Sequence, residues 1–348
     1  MKLPILAARD RFTLRASVML LILALAMALF WYRGASSPLD GEERALWEKV
    51  RSAQTFLHAL REGRGAAGGD GADPEKTGFI GVEWSPLTTT LGPLEAKRTA
   101  ADPLWSVYSL RQLKAAGVRE GDRVAIISSS SFPGLVYSVL AAAELRGASI
   151  LWIHSLGSST WGANDPSLPW PGMASALRQG GFLAKKADRY TLGGRAEMGL
   201  DLPEEGREIL TGSAAAEGIS LLEAPSLGGI IDAKWEMISG FAPRLLINIG
   251  GGAAAFAGNH SDFLRGGLFS PERGVPPGDG LIQRALASGV PVLHFLDMRG
   301  MGRRAGVPWD GRPSPRFAAQ GGAVIPAAGP AFFFIFLLFF KRWDRWNP

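Results

Sequence analysis

The sequence predicts an α/β fold: a mostly parallel, Rossmann-like three-layer sheet built from repeated βαβ units, flanked by N- and C-terminal transmembrane helices. Three observations predict it. Short apolar runs alternate with segments of helical period between residues 102 and 297. "RVAIISSSS" (123–131) aligns without a gap on "RLLINIGGG" (244–252), and each leads into a helical pattern, a glycine and a second apolar run. Uncharged stretches at 16–32 and 322–340 bracket everything between them.

From the N-terminus, residues 1–15 carry Lys2, Arg9, Arg11 and Arg15 and are expected in the cytoplasm. The run 16–32 has the length of a membrane span and ends in Phe30, Trp31 and Tyr32, which suit a membrane interface. No small-x-small cleavage site follows it, so it reads as an uncleaved anchor rather than a signal peptide. Segment 33–78 combines an amphipathic helix over 41–62, with Leu46, Val50, Phe56, Leu57 and Leu60 on broadly one side, and a glycine-rich linker over 63–78. An α/β domain is expected over 79–309, a linker over 310–321, a second span over 322–340 and a cytoplasmic tail over 341–348. The basic ends set the domain on the outside, which places the protein in the cell membrane with two spans. Arg303, Arg304, Arg312 and Arg316, just ahead of the second span, run against that orientation.

Inside the domain, "DPLWSVYSLRQLKAAGV" (102–118) opens on an aspartate with proline in the first turn and closes on glycine, which marks a helix. Strands are expected at 120–128, 148–155, 219–224, 244–250 and 291–297. Helices are expected at 133–147, near 203–217, at 228–240 and at 279–289.

Composition excludes several chemistries. With no cysteine there are no disulfides, thiolate metal sites or cysteine nucleophiles. The net charge of +5 sits largely beside the apolar ends, with no basic stripe interleaved with aromatics, so nucleic acid is not an expected partner. The histidines are dispersed at 58, 154, 260 and 294. His260 and Asp262 stand close in "NHSD", but no metal-binding pair of the H-E-x-x-H kind exists, and neither a metal nor a cofactor is expected.

In an open parallel sheet, ligands sit beyond the carboxyl ends of the strands, where loops meet helix N-termini. Ser128, Ser129, Ser130 and Ser131 fall at one such end, and Gly250, Gly251 and Gly252 at another. Small residues there let main-chain amides face a ligand, the following helix favours a negative charge, and serines add hydroxyl donors. Both turns read as anion cradles; tight strand-to-helix turns without a ligand explain the same residues equally. Lys97 and Arg98 are candidates to hold a carboxylate, as are Arg123 and Arg244, or are simply solvated charges. The long polar segment "HSLGSSTWGANDPSLPWPG" (154–172) offers His154, Ser155, Ser158 and Asp165 as candidate catalytic groups beside Ser159, Thr160, Trp161 and Asn164. No G-x-S-x-G elbow accompanies them, and capping roles explain the same residue types.

"TGFIGVEWSPLTTTLGPLEAKRTAADPLW", "GDRVAIISSSSFPGL", "LWIHSLGSSTWGANDP" and "NIGGG" resemble the bacterial poly-γ-glutamate system protein family, across nearly all of 78–300. The resemblance implies a pathway: the machinery that makes or exports poly-γ-glutamate, with that polymer, a membrane-bound ligase and the ligase's integral membrane partner as companions. It implies no catalytic residue. The expected function is therefore a membrane-anchored accessory component that binds the polymer or scaffolds the synthase. The alternatives are an enzyme acting on the polymer, a γ-glutamyl hydrolase or transferase, and a nucleotide-binding domain of inverted topology.

Overall fold

The computed structural model describes residues 22, 25–27, 36–64, 71–258 and 261–318. The chain divides into two compact units. In one, formed by Met1–Pro38 and Arg316–Pro348, β1 (Ser36–Pro38) pairs antiparallel with a strand at Arg316–Ala318. The other, Leu39–Pro315, contains the α/β sheet and the helix Gly41–Gly63.

The strands of that unit are β2 (Thr88–Thr90), β3 (Arg123–Ser129), β4 (Ser149–Ser155), β5 (Ser158–Ser159), β6 (Arg189–Thr191), β7 (Leu245–Ile249), β8 (Gly267–Phe269) and β9 (Val292–Phe295). Six of them form one sheet in the order β6-β4-β3-β7-β9-β8. All neighbours run parallel except β8, which pairs antiparallel with β9. The chain therefore builds outward from β3 through β4 to β6, then returns to the other side of β3 to lay down β7 and β9. Strand order reverses between β3 and β7, the place where sheets of this kind open a crevice at their carboxyl rim.

The internal echo in the sequence has a direct spatial counterpart. β3 and β7 lie side by side, with Val124 opposite Leu245 and Ser128 opposite Ile249, the same pairing the gapless alignment makes. Both faces of β3 are covered. Ala125 and Ile127 share an apolar cluster with Ile230, Ile231, Leu281 and Ile282, while alternate residues Val124 and Ile126 are equally buried. A strand buried on both sides reads as the continuous apolar run seen at "VAII".

One expected strand is replaced by another. The edge of β4 is taken by β6, fixed there by Asp188: its amide donates to Trp152 O (2.8 Å) and its carboxylate accepts from Trp152 N (2.7 Å). Segment 219–224 is left outside, with one bridge from Leu221 to Tyr190.

The two-span membrane reading is also corrected. Among the described residues no helix is long and apolar enough to cross a membrane. Segment 322–340 lies outside the described residues, as does 16–32 apart from Ile22, Leu25, Ala26 and Met27.

Asp102 supplies a pH test of the folded unit. Its Oδ1 accepts from Leu104 N (2.8 Å) at the start of helix Leu104–Ala115, while Oδ2 is buried with no hydrogen-bond partner among the described residues. Burial raises its pKa from 3.8 to about 7. The folded protein thus keeps a proton that the unfolded chain has lost, so this contribution to stability is full below the unfolded value and is lost as pH rises through about 7. Urea midpoints of the wild type should carry this fall, and Asp102→Asn, which cannot ionise, should remove it. Parallel pH profiles for the two proteins would refute the assignment.

Candidate functional site

The serine run after β3 divides by strand alternation, since successive side chains point to opposite faces. Ser128 and Ser130 turn towards His154 on the neighbouring β4. His154 Nδ1 lies 2.8 Å from Ser128 Oγ and Nε2 lies 3.0 Å from Ser130 Oγ. Trp152 Nε1 donates to Ser128 Oγ (2.9 Å), so the Ser128 hydroxyl donates onward to Nδ1. That assigns the ring proton to Nε2, which donates to Ser130 Oγ, and Ser130 donates in turn to Ser155 O (3.3 Å). The ring is fully buried and stacks on Trp170 with centroids 5.1 Å apart. Burial, followed by the charge of Lys234, holds its pKa well below the ordinary value. His154 is a neutral, satisfied core histidine and not a catalytic base.

Ser129 and Ser131 turn the other way, into a cavity of about 540 Å³ at the carboxyl rim. Gly251 and Gly252, beyond β7, line the same cavity. The two loops singled out by the sequence therefore meet at one rim, at the β3/β7 reversal. Gly250 makes the meeting possible: its φ of +96° is open to glycine, and a Cβ there would lie 2.6 Å from Ser129 Oγ.

The far wall comes from segment 193–201. Ala196 and Glu197 both occupy left-handed backbone (φ 59° and 63°), a strained arrangement for consecutive residues other than glycine. The strain is held by what Glu197 bonds. Its Oε2 accepts from Ser155 Oγ (2.6 Å), Thr191 Oγ1 (2.7 Å) and Lys234 Nζ (2.9 Å). Burial pushes its pKa up, but the Lys234 charge and the hydrogen bonds of Ser155, Thr191 and Lys234 outweigh it and hold the carboxyl below its ordinary value. Its Oε1 accepts no hydrogen bond among the described residues and sits beside Gly252, where a Cβ would come within 2.9 Å. Arg195 lines the cavity from an exposed position.

The third wall is Lys97, on the helix Leu94–Ala100. Thr88–Thr90 pairs with Ser158–Ser159, and Thr160 Oγ1 and Gly92 exchange hydrogen bonds, which brings that helix against β5. Lys97 Nζ donates to Ser131 O (2.6 Å), lies 2.5 Å from Ser159 Oγ and sits 4.1 Å from the centre of the Phe132 ring. Burial lowers its pKa to about 7.

The remaining candidates are elsewhere. Ser158 Oγ donates to the carbonyls of Ser130 and Ser159 and is fully buried. Asp165 pairs with buried Arg61 (2.8 Å) and accepts from Ser167. Arg98 donates to the carbonyls of Ala72 and Gly71 and reaches Asp310 (3.5 Å), away from the cavity. Arg123 and Arg244 stand at the amino ends of β3 and β7, the opposite rim, so they cannot reach a ligand held by the two loops. His260 lies outside the described residues. Of the four catalytic candidates only Ser155 touches the cavity, and its hydroxyl is committed to Glu197.

Glu197, Lys234 and Arg195 were not legible as site residues. Lys234 did leave a signal: it shares the buried helical stripe of Ile230, Ile231 and Ile238, where an unpaired lysine would be costly. Glu197 lies in "TLGGRAEMG", whose glycines and polar residues show no period.

No family model, no curated protein and no solved structure matches this chain.

Proposed function

We propose that the rim cavity binds the amino-terminal end of a γ-linked glutamate chain, and that the protein is an accessory component of the machinery that makes or exports poly-γ-glutamate. The observation that carries the reading is the outer oxygen of the Glu197 side chain, which has no donor among the described residues, in a cavity that also holds Arg195 and the hydroxyls of Ser129 and Ser131. Glu197 Oε1 can only accept, so a purely anionic ligand would leave it without a donor. A chain end that carries an ammonium beside its α-carboxylate matches both signs, the ammonium to Glu197 Oε1 and the carboxylate to Arg195 and the serines. The cavity volume is that of a small-molecule site rather than a groove for a continuous polymer. The identity of the polymer rests on the sequence blocks that resemble the poly-γ-glutamate family.

Calorimetry with a short γ-linked glutamate oligomer tests the reading. The free-amine oligomer should bind, and N-acetylation or Glu197→Gln should each weaken it by about tenfold or more. Equal affinity for both oligomers, or none for either, would overturn it. Gly252→Ala is a sharper probe. Its backbone (φ −56°, ψ 140°) accepts alanine, but the new methyl would press on Glu197 Oε1. Affinity should fall by about tenfold with little change in thermal stability.

A further inference from the structure

The geometry points to a second property of this cavity: Ser159 and Lys97 form a nucleophile–base pair that can take an acyl group from an amide. The hydroxyl of Ser159 has Lys97 Nζ, 2.5 Å away, as its one side-chain partner among the described residues: the ammonium donates to Oγ, and once deprotonated the same nitrogen can accept the hydroxyl proton. Both side chains are buried, at 5% and 4% exposure, and both line the cavity. Lys97 meets a carbonyl, a hydroxyl and an aromatic ring, and among the described residues no carboxylate pairs with it. A lysine in such surroundings loses its proton readily, and near pH 7 the free amine is well populated.

The other charged groups of the cavity are engaged. Glu197 is held by Lys234, and Asp201 accepts from the Arg195 amide (2.8 Å). Glu95 and Arg98 share the lysine's helix, and Arg98 points to Gly71 and Ala72. Helix Met298–Ala305 packs on that helix and brings Arg299, Arg303 and Arg304; Arg299 lies over Trp309 and Arg304 donates to Arg265 O.

The step balances without any further group. Ser159 Oγ attacks the amide carbonyl carbon as its proton passes to Lys97 Nζ. The resulting oxyanion collapses, the C–N bond breaks, and Lys97 returns the proton to the departing amine. Water then attacks the seryl ester with Lys97 again taking the proton, the ester C–O bond breaks, and Ser159 regains its hydrogen. Ser131 stands ready for the oxyanion. Its Oγ accepts from Ser159 N (3.1 Å), which places it beside the nucleophile, and its own proton has no acceptor among the described residues. For the acyl group, a γ-glutamyl unit, the inference rests on the ligand reading above; the nucleophile–base pair itself does not.

A fluorophosphonate probe separates the two. Phosphonylation forms an Oγ–P bond and releases fluoride while the serine proton goes to the base, so it needs the pair but not the ligand. Peptide mapping of the intact protein should find the label on Ser159, at a rate that climbs as pH rises through about 7. Lys97→Met should slow labelling by about a hundredfold or more, and Ser159→Ala should remove it while circular dichroism stays unchanged. An unlabelled Ser159 in the wild type, or labelling indifferent to Lys97→Met, would overturn the inference; wild-type mapping decides the matter even if a variant misfolds. Labelling without oligomer binding would leave the pair standing and remove the proposed ligand. Oligomer binding without labelling would do the reverse.

Discussion

Lys234→Met should cost the folded protein about 3–5 kcal/mol, and adding Glu197→Gln should restore more than half of the loss. Both partners are buried, at 3% exposure each, and their side chains meet at 2.9 Å. Removing the ammonium leaves a carboxylate with hydroxyl partners but no counter-charge, and a buried unpaired charge costs more than the pair ever contributed. The pH response identifies the cause. In the wild type Glu197 titrates below its unfolded value, so its contribution is present above that value and is lost as pH falls through the folded pKa. Without Lys234 burial dominates and the carboxyl titrates above its unfolded value, so its contribution is full in acid and is lost as pH rises. Urea denaturation across that range should show opposite slopes for the two proteins. Equal slopes would mean that Lys234 acts through packing alone, and the electrostatic account of Glu197 would fail.

This pair also shows why the sequence conveyed the frame better than the site. Strand and helix periods are local, so Arg123–Ser129, Pro133–Leu145, Ser149–Ser155, Leu227–Phe241 and Leu245–Ile249 all fall where apolar spacing puts them. The position of the two loops was legible for the same reason, because parallel strands of one sheet must end at one rim. What local pattern cannot convey is which face of a serine run meets which neighbour. Ser128 and Ser130 serve a core histidine, whereas Ser129 and Ser131 serve the cavity, and only the register of β3 on β4 separates them. Glu197, Lys234 and Ser155 come from a turn, a helix and a strand far apart in the chain. Arg98, next to Lys97 in sequence, points away because adjacent helical positions face different directions.

Asn164→Asp is expected to be as damaging as the loss of Lys234, by about 3–5 kcal/mol, although it exchanges only a nitrogen for an oxygen. Asn164 is fully buried and joins the segment before β2 to the loop that follows β5. Its Oδ1 accepts from Val82 N (3.0 Å), its Nδ2 donates to Val82 O (2.8 Å) and to Thr88 Oγ1 (2.9 Å), and its main-chain carbonyl accepts from Ser85 Oγ. An aspartate keeps the first bond but turns an acceptor towards the Val82 carbonyl and brings a charge to a buried position whose hydrogen-bond partners are all neutral. Asn164→Ala removes the side chain instead and leaves the Val82 amide unanswered, at about 1–3 kcal/mol, while the Val82 carbonyl keeps its bond from the Trp161 amide (2.8 Å). The two variants are told apart by pH: the aspartate should regain stability in acid as it protonates, and the alanine should not. The consequence reaches the cavity, because β2 pairs with β5 and so sets Ser159 against Lys97. Phosphonate labelling of Ser159 should therefore slow in both variants under conditions where they remain folded. Labelling at the wild-type rate would show that Ser159 and Lys97 are held together by something other than this seam.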